Sequence, residues 1–521
     1  MTKTAFVLVA AVLVATAFAQ QERWVYRYPG AECAGFRCPL TRDARGNIYV
    51  AGWRYDTGTG DDIIVISLNP DGDTNWTYVY NGPGNGNDRA NAVTCGADGN
   101  LYVAGVSDGG STSNDFTVIS VDTNGVQRWV YTRSGQMPGY YNDVAMAVIY
   151  GGDGNIYAAG ILCEYGYEDY TVISLTSTGS ERWAYIRDIS DWDTACGLVW
   201  GADGNIYVTG WSRGPGYDLD FRLVGLRPDG TEKWVYTYVQ DNGDDRGSYI
   251  VYGLDHNLYT AGYTKPGGSG SDLVVISVDT LGQQRWIHTY NGPGNGDDQA
   301  APIVAGPDTC VYTAGTATGS GSLKDMLVMS LDTSGDTNWV SLFNGPGNGD
   351  DEVYALAIAP DDGIYAAGYS TGMSTGKDIL VLSLTSSGDT AWSYRYNGPG
   401  NGADAGWSLN ATSDGILYVA GVSLGLDTTD IVVISLATLT GTTEMPRRQA
   451  PVTWLPSVLR GVLFLPASGE GRVATGKLLD ISGREVMELV SGANDVRSLA
   501  PGVYFTRRSA AKELQRIVIV K

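Results

Sequence analysis

The composition of this 521-residue chain argues against several kinds of partner and chemistry. Acidic residues outnumber basic ones by 57 to 34, and the net charge of −23 disfavours nucleic acid and anionic membranes as partners. The two histidines and six cysteines show no spacing typical of a zinc site, and no Ser/His/Asp pattern is evident. No Lys-Ser/Thr follows a Gly-rich loop, so a phosphate cradle is not indicated either. The function classes that remain are ligand binding and catalysis by carboxylates.

The first nineteen residues, MTKTAFVLVAAVLVATAFA, are typical of a secretory signal peptide. A lysine stands near the start, a short apolar core follows, and Ala17-Phe18-Ala19 offers a small-x-small cleavage site. The apolar run is too short for a membrane anchor, and no later stretch is long enough to cross a bilayer. We therefore expect residues 1–19 to be removed on export and the cysteines to enter an oxidising compartment.

From residue 20 onward one unit is repeated. Tryptophans that open strand-like segments recur every 51 to 54 residues, at Trp24, Trp76, Trp129, Trp183, Trp234, Trp286, Trp339 and Trp392. Each unit holds four short apolar runs separated by turn sequences such as Asp-Gly and Asn-Gly, which predicts a four-stranded antiparallel sheet without helices. Such a sheet cannot bury both faces alone, so the copies must stack around an axis as an eight-bladed β-propeller.

The two ends of the array predict how the ring closes. The strand around Trp24 precedes the first full unit, and the last unit ends near Ala437 without a tryptophan strand. We therefore predict that the amino-terminal strand completes the eighth blade and removes the open sheet edges. The recurring tryptophan is expected to wedge between adjacent blades. Two other repeated positions are also interpreted as structural: the Tyr of IYVAG-type strands and the Asp that opens VISL-type strands, such as Tyr102 and Asp115.

Units such as GADGNLYVAGVS and DFTVISVDTNGVQRWVY resemble the SBBP-type β-propeller repeat of secreted bacterial proteins. They are also similar to the tryptophan-docking repeats of quinoprotein propellers. The resemblance covers about Trp24 to Leu439. The second likeness implies an enzyme with a quinone cofactor in an eight-bladed ring, but the adjacent cysteine pair found in many quinoproteins is missing here.

The loops between blades, such as NGPGNGND, are predicted to lie together on one face of the ring. Each ends in an aspartate at the same repeat position, except in the first blade, which has Gly35 there. Carboxylates at one level of a ring are candidate ligands for Ca²⁺; the alternative is that each aspartate caps a Gly-rich turn. The aspartates are Asp88, Asp143, Asp193, Asp245, Asp298, Asp351 and Asp404.

The same face carries unevenly distributed aromatic residues. They belong to loops of blades one, three and four, whereas the later blades have Gly, Ser and Thr there. Exposed aromatics beside Asp and Asn suit stacking on sugar rings or gripping a polypeptide; the alternative is that they only cover the loops. The candidate ligand-binding residues are Trp53, Tyr55, Tyr140, Tyr141, Tyr165, Tyr167, Trp192, Trp211 and Tyr217.

Four cysteines are candidates for disulfides. Cys33 and Cys38 are close enough in sequence for a local bridge. Cys163 follows the third IYAAG-type strand and Cys196 begins the inner strand of the fourth blade, so these two are predicted to meet between neighbouring blades.

A change of composition marks a second, small domain. Twelve basic and six acidic residues follow from Arg447 onward, so a basic module is joined to an acidic ring. We predict a propeller over residues 20–440, a linker over 441–453 and a further domain over 454–521. The segments LLDISGREVMEL, SLAPGVYFTRR and QRIVIVK resemble the C-terminal sorting domain of type IX secretion. The matched positions are Asp480, Gly483, Arg484, Pro501, Gly502, Val503, Tyr504 and Lys521.

That resemblance implies a small Ig-like β-sandwich, recognised by the type IX secretion machinery, which would direct the protein across the outer membrane of a Gram-negative-type bacterium. The protein would then be secreted or attached to the cell surface. The leading hypothesis is a non-catalytic protein that binds a glycan or a protein through one face of the ring. The alternatives are a carbohydrate-active hydrolase using Asp residues on that face and a quinoprotein-like enzyme.

Overall fold

The computed structural model is all-β in the residues that it describes. Those residues form two compact units, divided between residues 441 and 442. The described ranges are 20–33, 37–111, 114–136, 143–164, 167–188, 192–214, 216, 218–240, 243–266, 270–321 and 323–438, and, in the second unit, 457–459, 462–465, 475–479, 484–490, 492–495, 502–508 and 514–519. Within these ranges there is no helix long and apolar enough to cross a membrane.

The first unit is an eight-bladed β-propeller, as the repeat predicts. The inner strands are Ala31–Glu32 with Leu40–Arg42, Arg89–Cys95, Val144–Tyr150, Asp193–Trp200, Arg246–Tyr252, Gln299–Ala305, Asp351–Ile358 and Asp404–Ala411. The second strands are Ile48–Asp56, Leu101–Asp108, Ile156–Leu162, Ile206–Arg213, Leu258–Thr264, Val311–Thr318, Ile364–Thr371 and Ile416–Leu424. The third strands are Gly60–Leu68, Asn114–Val121, Asp169–Leu175, Leu219–Leu226, Asp272–Val278, Lys324–Leu331, Lys377–Leu384 and Thr429–Thr438. The outer strands are Thr74–Tyr80, Gln127–Arg133, Glu181–Arg187, Glu232–Tyr238, Gln284–Tyr290, Thr337–Phe343, Thr390–Tyr396 and, in blade 8, Gln20–Pro29.

The core lies between the blades. In blade 2 the third strand is buried at every position from Asp115 to Val121, because both faces of the sheet are covered by neighbouring blades. One cluster joins Ile48 and Ile64 of blade 1 to Ile431 and Val433 of blade 8. Burial on both faces explains why these strands read as continuous apolar runs rather than as an alternation.

The ring is closed by the amino-terminal strand, as predicted. Gln20–Pro29 pairs antiparallel with Thr429–Thr438 of blade 8. The Nε and Nη2 atoms of Arg27 donate to one carboxylate oxygen of Asp430 at 3.1 and 2.6 Å, and Nη1 donates to the Tyr396 and Ser423 hydroxyls at 2.7 and 2.9 Å. One arginine of the first strand therefore ties together three residues from the last two blades.

The repeated tryptophan wedges between blades, which confirms its predicted role. Trp76 of blade 1 donates from Nε1 to the Thr123 carbonyl of blade 2 at 2.8 Å. Its ring packs on Gly125, whose φ of +82° and lack of Cβ the turn requires: a Cβ there would lie 2.7 Å from the indole. The bond to the next blade recurs for Trp24, Trp129, Trp183, Trp234, Trp286 and Trp339.

The repeated tyrosine is buried and tied to the turn that precedes it. In blade 2, the Tyr102 hydroxyl donates to the Asp98 carboxylate at 2.6 Å, and Asn100 donates to the same oxygen at 2.9 Å. Equivalent tyrosine–aspartate bonds occur in blades 1, 3, 4, 5 and 6. The D-x-N-x-Y spacing in the sequence thus encodes a hydrogen-bonded turn rather than a binding site.

The second unit contains two sheets in its described residues. The first joins Ser457–Leu459, Leu514–Ile519, Gly502–Arg508, Thr475–Leu479 and Glu485–Val490, and the second joins Val462–Leu465 and Gly492–Asp495. Of the matched sorting positions, Gly502, Val503 and Tyr504 lie in one strand and Arg484 immediately precedes another. Asp480, Gly483, Pro501 and Lys521 lie outside the described residues. The Ig-like sandwich stays a prediction.

Candidate binding face

The inter-blade loops and the loops after the second strands meet on one face of the ring, which we call the upper face. The Gly84 amide of one inter-blade loop donates to the Asp108 carbonyl at the end of a second strand at 2.9 Å. The sequence prediction that these two sets of loops share a face is therefore confirmed. Since the loops differ from blade to blade, this is the face on which the ring presents individual chemistry.

The repeated loop aspartates clasp these loops together. Asp88 accepts the Gly82 amide on one oxygen at 2.7 Å and the Asp108 amide on the other at 2.9 Å. Asp143, Asp298, Asp351 and Asp404 each accept two backbone amides in the same way. This geometry is that of the capping alternative, because both oxygens already have donors.

Burial also affects the proton affinity of five of the seven loop aspartates. Burial raises the pKa of Asp88, Asp143, Asp298 and Asp404, and it raises the pKa of Asp245 to about 6. Across the described part of the chain, no three His, Cys, Asp or Glu side chains are grouped so as to hold a metal ion. The five aspartates that accept two backbone amides are loop clasps, and calcium binding by the seven loop aspartates stays a prediction.

The described aromatic candidates lie in three places on the upper face. Trp192, with 47% of its surface exposed, and half-buried Trp211 line one cavity of about 390 Å³. Trp53 and the exposed Tyr55 lie on the second strand of blade 1, away from that cavity, and Tyr167 is exposed beside blade 3. Tyr140, Tyr141, Tyr165 and Tyr217 lie outside the described residues.

The cavity at Trp192 and Trp211, which we call the blade 4 pocket, combines aromatic rings with arginines. The guanidinium carbon of Arg213 lies 4.9 Å from the ring centre of Trp192, and that of Arg246 lies 4.9 Å from the ring centre of Trp211. Both distances are those of cation–π contacts. The described residues that line it are Glu168, Trp192, Trp211, Arg213, Leu219, Asp244 and Arg246, from blades 3, 4 and 5.

Backbone contacts fix the exposed tryptophan of this pocket. The Trp192 carbonyl accepts the Arg213 amide at 2.8 Å, and the next residue, Asp193, donates its amide to the Glu168 carbonyl at 2.8 Å. Burial raises the pKa of the Glu168 carboxyl. The indole is thus held between the third strand of one blade and the second strand of the next, with an ionisable group beside it.

Sequence reasoning identified the tryptophans of this pocket but not its charged residues. A signal was present: in blades 1 and 4 alone, a tryptophan follows the glycine of the second strand and an arginine follows the next loop aspartate. These pairs are Trp53 with Arg89 and Trp211 with Arg246. The signal was missed because its two halves stand about 35 residues apart and meet only when neighbouring blades pack.

A second cavity, of about 390 Å³, is the central channel, lined by inner strands of all eight blades. Of the two predicted disulfides, one is confirmed and one is wrong. Cys33 and Cys38 are bridged, but Cys163 and Cys196 are not joined. Cys196 is the bulged residue between Ala195 and Gly197, and it lines the channel, whereas Cys163 lies beside Asp143 on the upper face. The bulge interrupts the strand register at Cys196, and its thiol lies against the Trp211 side chain of the same blade rather than against Cys163.

No protein-family model and no curated protein matches the chain. Among solved structures, it is similar to Sqt1 from Chaetomium thermophilum, with 9% identity and a TM-score of 0.47 over 80% of this chain and 100% of that one. It is also similar to the Pan2 WD40 domain from Neurospora crassa, with 12% identity and a TM-score of 0.40 over 66% and 88%. Drosophila Plexin A in complex with Semaphorin 1b matches at 7% identity and a TM-score of 0.38 over 80% and 87%. These likenesses carry no argument about ligand; the eight-bladed propeller fold itself is established by the strand topology.

Proposed function

We propose that this protein is a secreted or surface-attached binding protein that holds a glycan or protein ligand on the upper face of its propeller. The observation that supports this most is the blade 4 pocket, where Trp192 exposes about half of its surface beside Arg213, Arg246 and Trp211. Exposed tryptophan and arginine are the residue types that dominate binding energy at interfaces. Their placement on a rigid ring lowers the entropic cost of binding.

Export by type IX secretion belongs to the same proposal. Its support is in the sequence: a signal-peptide pattern over residues 1–19 and the ordered motifs that include Arg484 and Tyr504. Removing Leu478 to Lys521 is expected to leave the protein in the periplasm of its own bacterium. Surface export of the shortened chain at the normal level would contradict the assignment.

A glycan array and a cell-binding assay test the binding function. We expect the purified protein to retain glycans or whole cells, and Trp192→Ala to abolish retention. The matched control is Tyr55→Ala, since Tyr55 is also an exposed aromatic residue of the upper face but lies outside the pocket. Equal loss in both variants, or no retention by the parent protein on any glycan or cell type, would contradict the proposal.

A second candidate is a carbohydrate-active hydrolase. It is favoured by one observation: the described lining of the pocket includes the carboxyl groups of Glu168 and Asp244, and burial raises the pKa of Glu168, as for a general acid. Release of reducing ends from a bound glycan, lost in Glu168→Gln, would establish this activity. Binding without release of reducing ends would leave the non-catalytic function.

A further inference from the structure

The ring contains the same tryptophan–arginine platform twice, and the two copies differ in one decisive residue. In the junction of blades 1 and 2, the Arg89 guanidinium carbon lies 5.0 Å from the ring centre of Trp53. In the junction of blades 4 and 5, Arg246 lies 4.9 Å from Trp211. Strand register makes the two arginines equivalent, because each opens its inner strand directly after a loop aspartate.

In the first copy, the arginine is neutralised from within the protein. Its Nε and Nη2 atoms donate to one carboxylate oxygen of Asp61 at 2.8 and 2.5 Å, and the Asp61 side chain is only 7% exposed. Asp61 is the residue that pairs with Tyr55 at the start of the third strand. A buried, two-bond carboxylate leaves this guanidinium little capacity for an external anion.

In the second copy, leucine replaces that carboxylate. Leu219 occupies the position of Asp61, since it pairs with Arg213 as Asp61 pairs with Tyr55. Of the acids that the structure describes, Asp244 is the one that forms an ion pair with Arg246, at a loose 3.9 Å. Among the described residues, none accepts a hydrogen bond from the buried Nε of Arg246. A guanidinium held in a cavity without a close carboxylate is prepared to receive one from a ligand.

We propose that the blade 4 pocket binds a uronic-acid sugar, with the ligand carboxylate on the Nη atoms of Arg246, whose side chain is 37% exposed. This inference deepens the proposed binding function and rests on it. A uronate ring suits the pocket because it joins two features in one unit: a flat face of C–H groups for the exposed indole of Trp192 and a carboxylate on the same ring. An acidic peptide side chain offers the carboxylate without the flat face, and a neutral sugar offers the face without the charge.

The charge of the rest of the molecule determines how the affinity for an acidic sugar should depend on salt. The whole chain carries a net charge of −23, and Glu168 and Asp244 also line the pocket. Long-range attraction of a polyanion is therefore absent, and recognition depends on contact at Arg246. Affinity for an acidic oligosaccharide should accordingly fall little, if at all, as salt is raised from 50 to about 200 mM, unlike adsorption of a polyanion to a basic surface.

The test measures trigalacturonate binding to the full chain by calorimetry. Leu219→Asp should place a carboxylate on Arg246 as Asp61 does on Arg89, and weaken binding about 10- to 100-fold. Leu219→Asn is the matched control: it carries the same shape and polarity without the charge, and should bind much more tightly than Leu219→Asp. The methyl ester of trigalacturonate should not bind measurably to the parent protein, and Trp192→Ala should lose trigalacturonate binding.

Several results would overturn the inference. These are equal affinity of Leu219→Asp and Leu219→Asn, equal binding of the methyl ester, and binding of hexaglutamate that matches trigalacturonate and survives Trp192→Ala. Failure of this inference is distinguishable from failure of the proposed function. If only neutral glycans bind and Trp192→Ala abolishes their retention, the binding function holds and the uronate inference is wrong.

Discussion

The contact between the repeated tryptophan and the glycine of the next blade predicts a large, site-specific loss of stability in Gly125→Ala. Alanine at this position lowers the free energy of unfolding in two ways. Its φ of +82° lies in the left-handed region, which costs a non-glycine residue about 1–2 kcal/mol. Its Cβ would also lie 2.7 Å from the Trp76 indole, so the ring must move and its 2.8 Å bond to Thr123 is lost, at about a further 1 kcal/mol.

The same blade offers a matched control in Gly99. Its φ is +79°, but a Cβ there meets nothing within 4 Å. Gly99→Ala should therefore cost only the backbone strain of about 1–2 kcal/mol, whereas Gly125→Ala should cost about 3 kcal/mol once packing of the displaced indole is included. Urea midpoints followed by tryptophan fluorescence, with equal m-values, measure the difference. Equal losses in the two variants would refute the wedge as the source of inter-blade stability.

Two further predictions concern the closing strand and a buried carboxyl. Arg27→Ala should lower the free energy of unfolding by about 2–4 kcal/mol, because it leaves the buried Asp430 without its guanidinium partner. The control, Arg23→Ala, loses one hydrogen bond to Ser435 and should lower it by less than about 1 kcal/mol. Similar urea midpoints for the two variants would contradict this prediction. Burial raises the pKa of Asp245 to about 6, so the folded chain binds an additional proton between about pH 4 and 6, and stability is lost as the pH rises through that range. Asp245→Asn should therefore gain stability relative to the parent protein as the pH rises from about 4 to 6 and keep that gain above about pH 6.5; a difference between their urea midpoints that does not change with pH would contradict this.

The fold was largely predictable because the sequence unit that forms one blade is repeated eight times. A regular tryptophan period gives the number of blades, and the unpaired strand at Trp24 predicts the closure that Arg27 and Asp430 complete. Each copy repeats the same local physics, so turn, wedge and clasp positions can be read from the repetition itself. The same repetition explains why the loop aspartates were ambiguous: a clasp and a metal ligand place the same residue at the same position.

The binding pocket was only partly predictable, for two physical reasons. Glu168, Trp192, Trp211 and Arg246 come from three blades, and no local spacing in the sequence records that they share a cavity. The direction of a side chain is also not fixed by strand periodicity where a bulge intervenes. Cys196 shows this, since it is the extra residue at the bulge of its strand and forms no bridge to Cys163.

Closure of the ring by the amino-terminal strand is the claim on which the upper face and its pocket depend. Hydrogen exchange of the chain beginning at Gln20 tests it most directly, by comparing peptides from Gln20–Pro29 with those from Thr74–Tyr80, the outer strand of blade 1. If the first strand completes blade 8, its amides bonded to Thr429–Thr438 exchange as slowly as those of the ordinary outer strand. Exchange of Gln20–Pro29 within seconds, while Thr74–Tyr80 stays protected, would contradict the closed ring.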